Sequence, residues 1–463
     1  MSSEGRRAQR RARLARGFVV RVLAVIAVLG VVAVITGVLT TVQGPRVTDV
    51  QSDPAAAVAS AGSRLIFTTT QSLEEVAPEQ VTVTPAVDFT VDTSGRSVGI
   101  RFALPLWDET EYTVRIDDVR GLGGGPDAVI EETFTTPPLQ AYVLQRGEAE
   151  DTIFRVDLAG DAEPVFRSDH IEDFRATAAH LIVSTLEGGV SRLVVTRADG
   201  SGESELALPG DGIVTNLQSA ETGNTIGYTF TDADISADGG RESLLFTGST
   251  ADPDAAPVPV VREGGDARVE DWRFVPGTDR VLMLTFDGAL SLAAPDGSNP
   301  VSLGTAISID DVSGSTAYIA RVEGSVVIDL ATAEETPLVA TDPARGQMSD
   351  VVALPGDATL RALTPFDGLD VLDTTLTRVA QSGEVSPLAE VASGDALVQT
   401  CVSPSGRYAA VVVAPDAVSN PYDGYTLPLP TTMETRIISL DDGAQVVAIA
   451  GFDLSWCRKA PRL

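Results

Sequence analysis

The sequence has little of the chemistry that most catalytic sites use. Its 463 residues include two histidines, two cysteines and one lysine. The common catalytic and nucleotide-binding motifs do not occur: there is no Gly-x-Ser-x-Gly elbow, His-Glu-x-x-His pair, Walker loop or Cys-x-x-Cys pair. We therefore predict a protein without catalytic residues, without a resident metal and without a cofactor.

Positive charge is scarce outside the first residues. Seven arginines precede residue 22 against a single glutamate, whereas the whole chain carries a formal net charge of −32 at pH 7. The rest of the chain is thus strongly acidic, and an acidic surface repels the phosphates of nucleic acids and of anionic lipids. This charge argues against a nucleic-acid partner and favours cationic partners or divalent cations.

The basic residues 1–17 are followed by an uncharged run of eighteen residues, 22–39. As a helix this run would measure about 27 Å, close to the thickness of a bilayer core. We predict an uncleaved signal anchor over residues 18–42. By the positive-inside rule, the protein is then single-pass in the plasma membrane, with a cytoplasmic N-terminus and an extracytoplasmic main body. Cleavage near Ala59-Ser60-Ala61 is the alternative.

Residues 47–137 alternate apolar and polar residues in six or seven short runs, for example over residues 65–70. This alternation is typical of half-buried strands and predicts a β-sandwich. The segment resembles the S-layer-type bacterial Ig-like family at Phe67, at Val81-Thr-Val-Thr-Pro85 and at Phe134-Thr-Thr-Pro-Pro138. That resemblance implies a spacer or adhesion module.

From Gln140 onward the chain repeats a unit of about 35 to 65 residues, which predicts an array of similar small sheets. Each unit opens with a short apolar strand, and a more strongly apolar strand follows after a turn. The opening strands are residues 171–174, 213–217, 269–274, 307–312, 348–353, 397–402 and 451–456. They predict a mainly β chain with a seven-bladed β-propeller over residues 140–463. Six or eight blades, or an irregular multi-sheet β-protein, are the alternatives.

The run Val402-Ser-Pro-Ser-Gly-Arg-Tyr-Ala-Ala410 resembles the inner hairpin of TolB-like and WD-like propellers, in which Pro and Gly form the turn. The last opening strand lies at the end of the repeats, whereas its partner strands, residues 141–144 and 152–156, lie at their start. Pairing between them would close the ring and cover a strand edge. With the anchor, this predicts a membrane-anchored envelope protein of the actinobacterial type.

Cys401 and Cys457 fall on the opening strands of neighbouring blades. Because thiols oxidise outside the cell, we predict a disulfide that fixes the ring closure. Two buried free thiols are the alternative.

Pairs of acidic residues recur on the opening strands, and successive blades direct them toward one end of the central channel. The pairs are Glu172-Asp173, Glu270-Asp271 and Asp310-Asp311. A ring of carboxylates at a channel mouth attracts cations, so we predict a cation- or ligand-binding site there, with solvated loop residues as the alternative.

Two further groups of residues are weaker candidates for a metal site. His170 and His180 are ten residues apart, and we expect them at opposite ends of one hairpin. Asp232, Asp234 and Asp238 precede two glycines but lack the spacing of a calcium-binding EF-hand loop. Neither group predicts a metal site.

The leading functional hypothesis is a non-enzymatic scaffold that binds an envelope protein or polymer. A ligand- or cation-binding sensory ectodomain is the alternative, and an extracellular hydrolase or lyase is the third hypothesis. The sequence leaves the oligomeric state open.

Overall fold

A computed structural model describes residues 25–31, 44–221, 223–236, 239–261 and 264–461. The chain is mainly β and divides into two compact units, with the boundary between Pro137 and Pro138. We call them unit 1 and unit 2.

In the part of the chain that the structure describes, no helix is long and apolar enough to cross a membrane. Within the predicted anchor, residues 18–42, the described residues are 25–31, and these are helical. Because the described residues contain no helix that could cross a membrane, the predicted plasma-membrane location with an extracytoplasmic main body is contradicted. The predicted basic tail, residues 1–17, lies outside the described residues.

Unit 1 is a sandwich of two antiparallel sheets around one core. One sheet has the strand order β1-β2-β5-β4 and the other the order β3-β6-β7. The elements are β1 (Val47–Gln51), α1 (Pro54–Ala59), β2 (Arg64–Thr69), β3 (Val81–Thr84), β4 (Phe89–Ser94), β5 (Ser97–Phe102), β6 (Glu111–Val119) and β7 (Ala128–Thr135). In β6, Tyr112, Val114 and Ile116 are buried while Arg115 is exposed, as expected of alternation in a half-buried strand. The β-sandwich is therefore present, and its Ig-like identity stays a prediction.

Unit 2, in its described residues, contains seven antiparallel sheets of three or four strands that follow one another along the chain, and one additional two-stranded hairpin. Sheet 1 contains β8 (Gln140–Gln145), β9 (Asp151–Asp157) and β10 (Ala162–Ser168); sheet 2 contains β11 (Ile171–Ala176), β12 (His180–Glu187), β13 (Val190–Arg197) and β14 (Ser204–Leu206); sheet 3 contains β15 (Gly212–Ser219), β16 (Thr225–Asp232), β17 (Leu244–Ser249) and β18 (Val258–Pro259); sheet 4 contains β19 (Val269–Phe274), β20 (Val281–Thr285), β21 (Ala289–Ala293) and β22 (Val301–Thr305).

The remaining sheets follow the same order. Sheet 5 contains β23 (Ser308–Ser313), β24 (Thr316–Arg321), β25 (Gly324–Asp329) and β26 (Glu335–Pro337); sheet 6 contains β27 (Gln347–Ala353), β28 (Thr359–Thr364), β31 (Thr374–Val379) and β32 (Val385–Val391), with the small hairpin β29 (Phe366–Asp367) and β30 (Asp370–Val371) between β28 and β31; sheet 7 contains β33 (Ala396–Val402), β34 (Tyr408–Ala414), β35 (Glu434–Ser439) and β36 (Gln445–Ala450).

The first strands of successive sheets contact one another. Contacts join β11 to β15, β15 to β19, β19 to β23, β23 to β27, and β27 to β33. Small antiparallel sheets that meet through their innermost strands are the architecture of a β-propeller, so the predicted propeller fold is confirmed. Every residue of the second strands β20 and β34 is buried, because a neighbouring sheet covers each face. This double burial explains the continuous apolar runs in the sequence.

The turn between β33 and β34 has the predicted hairpin chemistry. The Gly406 amide donates a hydrogen bond to the Ser403 carbonyl at 2.8 Å, and Gly406 has a φ of +69°. A Cβ atom at this position would lie 2.4 Å from a ring atom of Pro355, in the corresponding turn of sheet 6. Glycine is therefore required here by both the backbone conformation and the packing of adjacent sheets.

Residues 450–457, which we name the pairing segment, lie beside β8. Leu144 and Phe452 exchange both of their backbone hydrogen bonds, each at 2.9 Å. The Ser455 amide donates to the Tyr142 carbonyl at 2.9 Å, and the Tyr142 amide donates to the Ser455 hydroxyl at 3.0 Å, across 313 positions of the sequence. The predicted pairing with residues 141–144 is therefore present, and it covers the open edge of sheet 1. It is an isolated bridge, however, and residues 451–456, predicted as the seventh opening strand, do not form a strand.

The loop between β34 and β35 reaches back from sheet 7 to sheets 1 and 2. The Tyr425 hydroxyl donates to the two carboxylate oxygens of Asp151 at 2.8 and 2.7 Å. The Tyr425 ring stacks on His170 with 4.0 Å between ring centroids, and the guanidinium of Arg146 lies 3.7 Å from the Tyr425 centroid. Burial raises the pKa of Tyr425, so its hydroxyl remains a donor. This contact is a second connection between the two ends of unit 2.

A disulfide joins Cys401, near the end of β33, to Cys457, the last residue of the pairing segment, with the two Cα atoms 5.1 Å apart. The predicted disulfide is therefore present. It ties the pairing segment to sheet 7, while the backbone hydrogen bonds tie the same segment to sheet 1.

Replacing both cysteines, Cys401→Ser together with Cys457→Ser, should lower the free energy of unfolding of unit 2 by about 4 kcal/mol. The reason is that the disulfide closes a loop of 56 residues and so restricts the unfolded chain. Urea unfolding of the full chain, with and without reductant, measures the effect. An unchanged unfolding midpoint in the double variant, or alkylation of both thiols in unreduced wild-type protein, would contradict it.

Candidate functional site

The first strands of unit 2 carry a recurring irregularity. In each of sheets 2 to 7, the pairing register between the first and second strand shifts by one residue, and the residue directly after the shift is Asp or Gln. These residues, which we name the inner ring, are Asp173, Gln218, Asp271, Asp311, Asp350 and Gln399. Such a shift is a β-bulge, which bends the strand and re-aims a side chain. Because the first strands are innermost, each sheet contributes one polar side chain to the inside of the propeller.

Three aspartates of the inner ring bond to the backbone at their own bulge. Asp271, Asp311 and Asp350 each accept a hydrogen bond from the amide of the next residue, at 2.8, 2.8 and 3.1 Å. A bulge removes a backbone amide from the regular ladder, and a buried amide without an acceptor is costly. These carboxylates therefore stabilise the irregular strands that hold them.

Inner-ring side chains also join neighbouring sheets. The second carboxylate oxygen of Asp311 accepts from the backbone amide of Ala353, in sheet 6, at 2.8 Å. The side-chain amide of Gln218, in sheet 3, donates to the carbonyl of Trp272, in sheet 4. Inner-ring side chains thus add hydrogen bonds between the first strands of adjacent sheets.

Arg175 joins sheet 2 to the pairing segment. Its guanidinium contacts Asp173 at 2.7 Å and Asp453 at 3.0 Å, and Arg175 is 7% exposed. Burial raises the pKa of Asp173 to about 8; the charge of Arg175 opposes this rise, whereas Asp453 adds to it. Two carboxylates share one arginine, so the neutral form of Asp173 can donate a hydrogen bond to Asp453. We name the contacts of the pairing segment with sheets 1 and 2 the seam. Asp173, within the seam, therefore holds a proton in the folded state near neutral pH.

The six acidic residues predicted to line a channel mouth lie in different environments. Glu172 accepts hydrogen bonds from the amide and hydroxyl of Thr426, at 3.1 and 2.8 Å. Asp310 accepts from the Ser308 hydroxyl at 2.7 Å, and burial raises the pKa of this carboxyl. Glu270 is exposed. The other three belong to the inner ring and have the contacts described above, so most of the six are engaged by protein groups.

The two weaker metal candidates are also separated or engaged. The His170 carbonyl accepts from the amide of Leu186, near the end of β12, whereas His180 begins that strand. Asp232 is paired with Arg241 at 2.6 Å, and Asp238 lies outside the described residues. Over the residues that the structure describes, no group of three or more His, Cys, Asp or Glu is arranged to hold a metal ion.

One face of unit 2 carries exposed apolar side chains. Because strands alternate in direction, connections from a second to a third strand lie on the same face as those from a last strand to the next sheet. In the described connections of unit 2, every exposed large apolar side chain lies on this face. We name these residues the apolar face: Ile235, Val261, Phe286, Ile307, Val322, Phe366, Leu369, Val371, Leu372, Val418, Tyr422 and Leu427.

The most exposed members of the apolar face are Leu369 and Val418, at 98% and 102% relative exposure. They lie in equivalent loops of the adjacent sheets 6 and 7. The turn between these sheets bonds to both loops: the Ser393 amide donates to Asp373 at 2.9 Å, and a carbonyl of the same turn accepts from the Ala417 amide at 2.9 Å. The two apolar loops are therefore held side by side. No sequence motif marks this face, but the spacing of loop apolar residues relative to the repeats is a usable signal.

Asp173→Asn should flatten the pH dependence of stability. In the wild type the folded state holds a proton on Asp173 that the unfolded chain releases above about pH 4. Stability is therefore lost as the pH rises from about 4 to about 8, by at most about 1.4 kcal/mol per pH unit. The amide resembles the protonated carboxyl at every pH, so the variant should lose less stability than the wild type. Urea unfolding near pH 5 and near pH 8 measures the difference, and parallel profiles would contradict it.

No family model matches the chain, and no curated protein matches it closely enough to count as a relative. The predicted S-layer-type family and the actinobacterial envelope assignment therefore gain no support.

Solved structures that resemble the chain include the β-propeller domain of Swd1 from Myceliophteria thermophila, with 13% identity, a TM-score of 0.41 and coverage of 62% of this chain and 87% of that chain. A prolyl endopeptidase shares 10% identity with a TM-score of 0.47, over 68% of this chain and 50% of that chain. An auxiliary nutrient binding protein from Bacteroides thetaiotaomicron shares 12% identity with a TM-score of 0.32, over 75% and 86%. Every one of these TM-scores is below 0.5, so the propeller assignment rests on the strand topology of the chain itself.

Proposed function

We propose that this protein is a non-enzymatic interaction scaffold whose unit 2 is a seven-bladed ring that presents its apolar face to a partner protein. The observation that carries the proposal is the one-sided placement of the exposed apolar side chains. Contiguous apolar surface is rare on proteins that act alone and is common where another protein binds. Unit 1 is, on this proposal, an Ig-like spacer.

The chemistry of the apolar face favours a partner that combines apolar and basic side chains. Phe286, Val322 and Leu369 are each followed directly by an exposed acidic residue, and the whole chain carries a net charge of −32. Apolar side chains supply most of the binding energy of an interface, whereas complementary charge speeds association and selects the partner. An acidic rim around apolar loops thus suits a cationic, amphipathic surface.

Two features support a non-enzymatic role. The sequence lacks the common catalytic motifs, and the aspartates of the inner ring bond to backbone amides and an arginine within their own fold. Carboxylates held in this way stabilise a framework, and general acid–base catalysis needs a group that can reach a substrate.

Replacing the two most exposed apolar side chains, Leu369→Ser with Val418→Ser, should weaken partner binding at least about tenfold, because each truncation of an anchor side chain costs about 1 kcal/mol or more. The matched control is Val301→Ser with Val446→Ser, which removes exposed valines from the outermost strands of sheets 4 and 7. Crosslinking in cells and affinity capture with wild type, variant and control identify the partner, and titration with that purified partner gives the dissociation constants.

The expected result is a partner that the wild type and the control retain and the variant loses. Equal capture by all three proteins would reject the apolar face as the binding surface. Absence of any specific partner, together with turnover in a panel of hydrolase and lyase substrates, would reject the scaffold itself.

A further inference from the structure

The inside of unit 2 is occupied, at the end away from the apolar face, by the residues that follow the pairing segment. We name residues 458–461 the basic segment. The Arg458 guanidinium donates to the carbonyl of Val312, in sheet 5, at 2.6 Å and lies 3.9 Å from the carboxylate of Glu221, two residues after the end of β15 in sheet 3. Val312 and Glu221 lie at the far ends of two first strands, opposite the apolar loops. One side chain can reach both only near the axis around which the first strands converge.

Lys459 extends the contact to two further sheets. Its ammonium nitrogen lies 3.8 Å from a carboxylate oxygen of Asp350 in sheet 6, and its backbone carbonyl accepts from the side-chain amide of Gln399 in sheet 7. Burial raises the pKa of Asp350 and of Asp310, and the positive charge of Lys459 opposes both shifts. The ammonium group therefore lies within electrostatic reach of two inner carboxylates.

The side chain of Gln399 has an unused hydrogen-bond acceptor at this site. Its side chain is 7% exposed, and its Oε1 atom is buried without a hydrogen-bond donor among the residues that the structure describes. Buried acceptors are normally satisfied, so this oxygen indicates a place for a further N–H group. An ammonium group has three donors and no acceptor, and it therefore suits a site built from carboxylate and amide oxygens. Lys459 is the single lysine in the 463-residue sequence.

We propose that the inner ring around Asp350 and Gln399 is a binding site for a lysine-bearing basic peptide segment, and that residues 458–461 occupy it in cis. The disulfide at Cys457 lies directly before the basic segment and holds it at the inner ring. When residues 458–461 leave the inner ring, a lysine-bearing segment of another molecule can bind the same oxygens. This site lies at the opposite end of the propeller from the apolar face and is independent of the scaffold function.

The test removes the cationic side chains from the site while keeping the disulfide and the strand pairing. Arg458→Ala with Lys459→Ala removes both cationic side chains, and the probe is a fluorescently labelled peptide of residues 458–463 followed by anisotropy. The double variant should bind this peptide at least tenfold more tightly than the wild type, whose ring is already occupied. A peptide carrying Lys459→Ala should bind the double variant at least tenfold more weakly, and so should the original peptide when Asp350→Asn is added to the protein.

Two controls separate the site from general charge attraction and from the scaffold function. Glu390→Gln removes an exposed carboxylate from β32, the outermost strand of the sheet that holds Asp350, and should leave peptide binding unchanged. Leu369→Ser with Val418→Ser should also leave it unchanged. Circular dichroism and urea unfolding establish that each variant is folded, and Lys459→Met alone replaces the double variant if the latter unfolds. A folded variant that does not bind the peptide, or that binds equally well with Asp350→Asn, overturns the proposal.

Discussion

The pairing of Leu144 with Phe452 is the constraint on which unit 2 depends. A row of sheets that meet through their first strands has an open edge at each end, and open edges pair with other chains. Here the segment that pairs with β8, the first strand of sheet 1, comes from the other end of the repeats, 313 positions away at Tyr142 and Ser455. Closing so long a loop is entropically costly, which explains why the same segment has several independent attachments.

Those attachments are of different chemical kinds. Backbone hydrogen bonds hold the middle of the pairing segment, the buried ion pair of Arg175 with Asp453 holds it from sheet 2, and the disulfide at Cys457 holds its end. The loop that carries Tyr425 adds a contact on the outer side of the seam. A buried ion pair and a buried carboxyl proton contribute little net stability, but they require a single register. The seam thus has its specificity from polar contacts and its strength from covalent and backbone bonds.

Sequence reasoning found the strands, the propeller and the disulfide because each leaves a pattern. Strand alternation and the repeated opening strands reflect burial, and the two cysteines fall at equivalent places in neighbouring repeats. The sequence could not show which residue of each acid pair faces the inside, because a β-bulge has no sequence signature: the register shift selects Asp173 and Asp311 in the pairs Glu172-Asp173 and Asp310-Asp311. The cation- or ligand-binding role of the six acidic residues stays a prediction. The uncharged run of residues 22–39 predicted a membrane span from hydropathy alone, and the described residues contain no helix long and apolar enough to cross a membrane.

At one end of the propeller the turns pack closely against neighbouring sheets, whereas at the other end the connections carry exposed apolar side chains. The alternation of strand direction places these two kinds of connection at opposite ends. Turns that follow a first strand contact neighbouring sheets closely, as Gly406 does at Pro355, so they are short and leave little room for variation. Connections that follow a second strand are longer in sheets 6 and 7, where they form the hairpin at Leu369 and the loop at Val418. The loop between β34 and β35 combines both properties, because Tyr425 contacts sheets 1 and 2 while Val418 is exposed. The proposed partner, if bound at Val418, would touch a loop that also contacts sheets 1 and 2, so its binding would stabilise that contact as well.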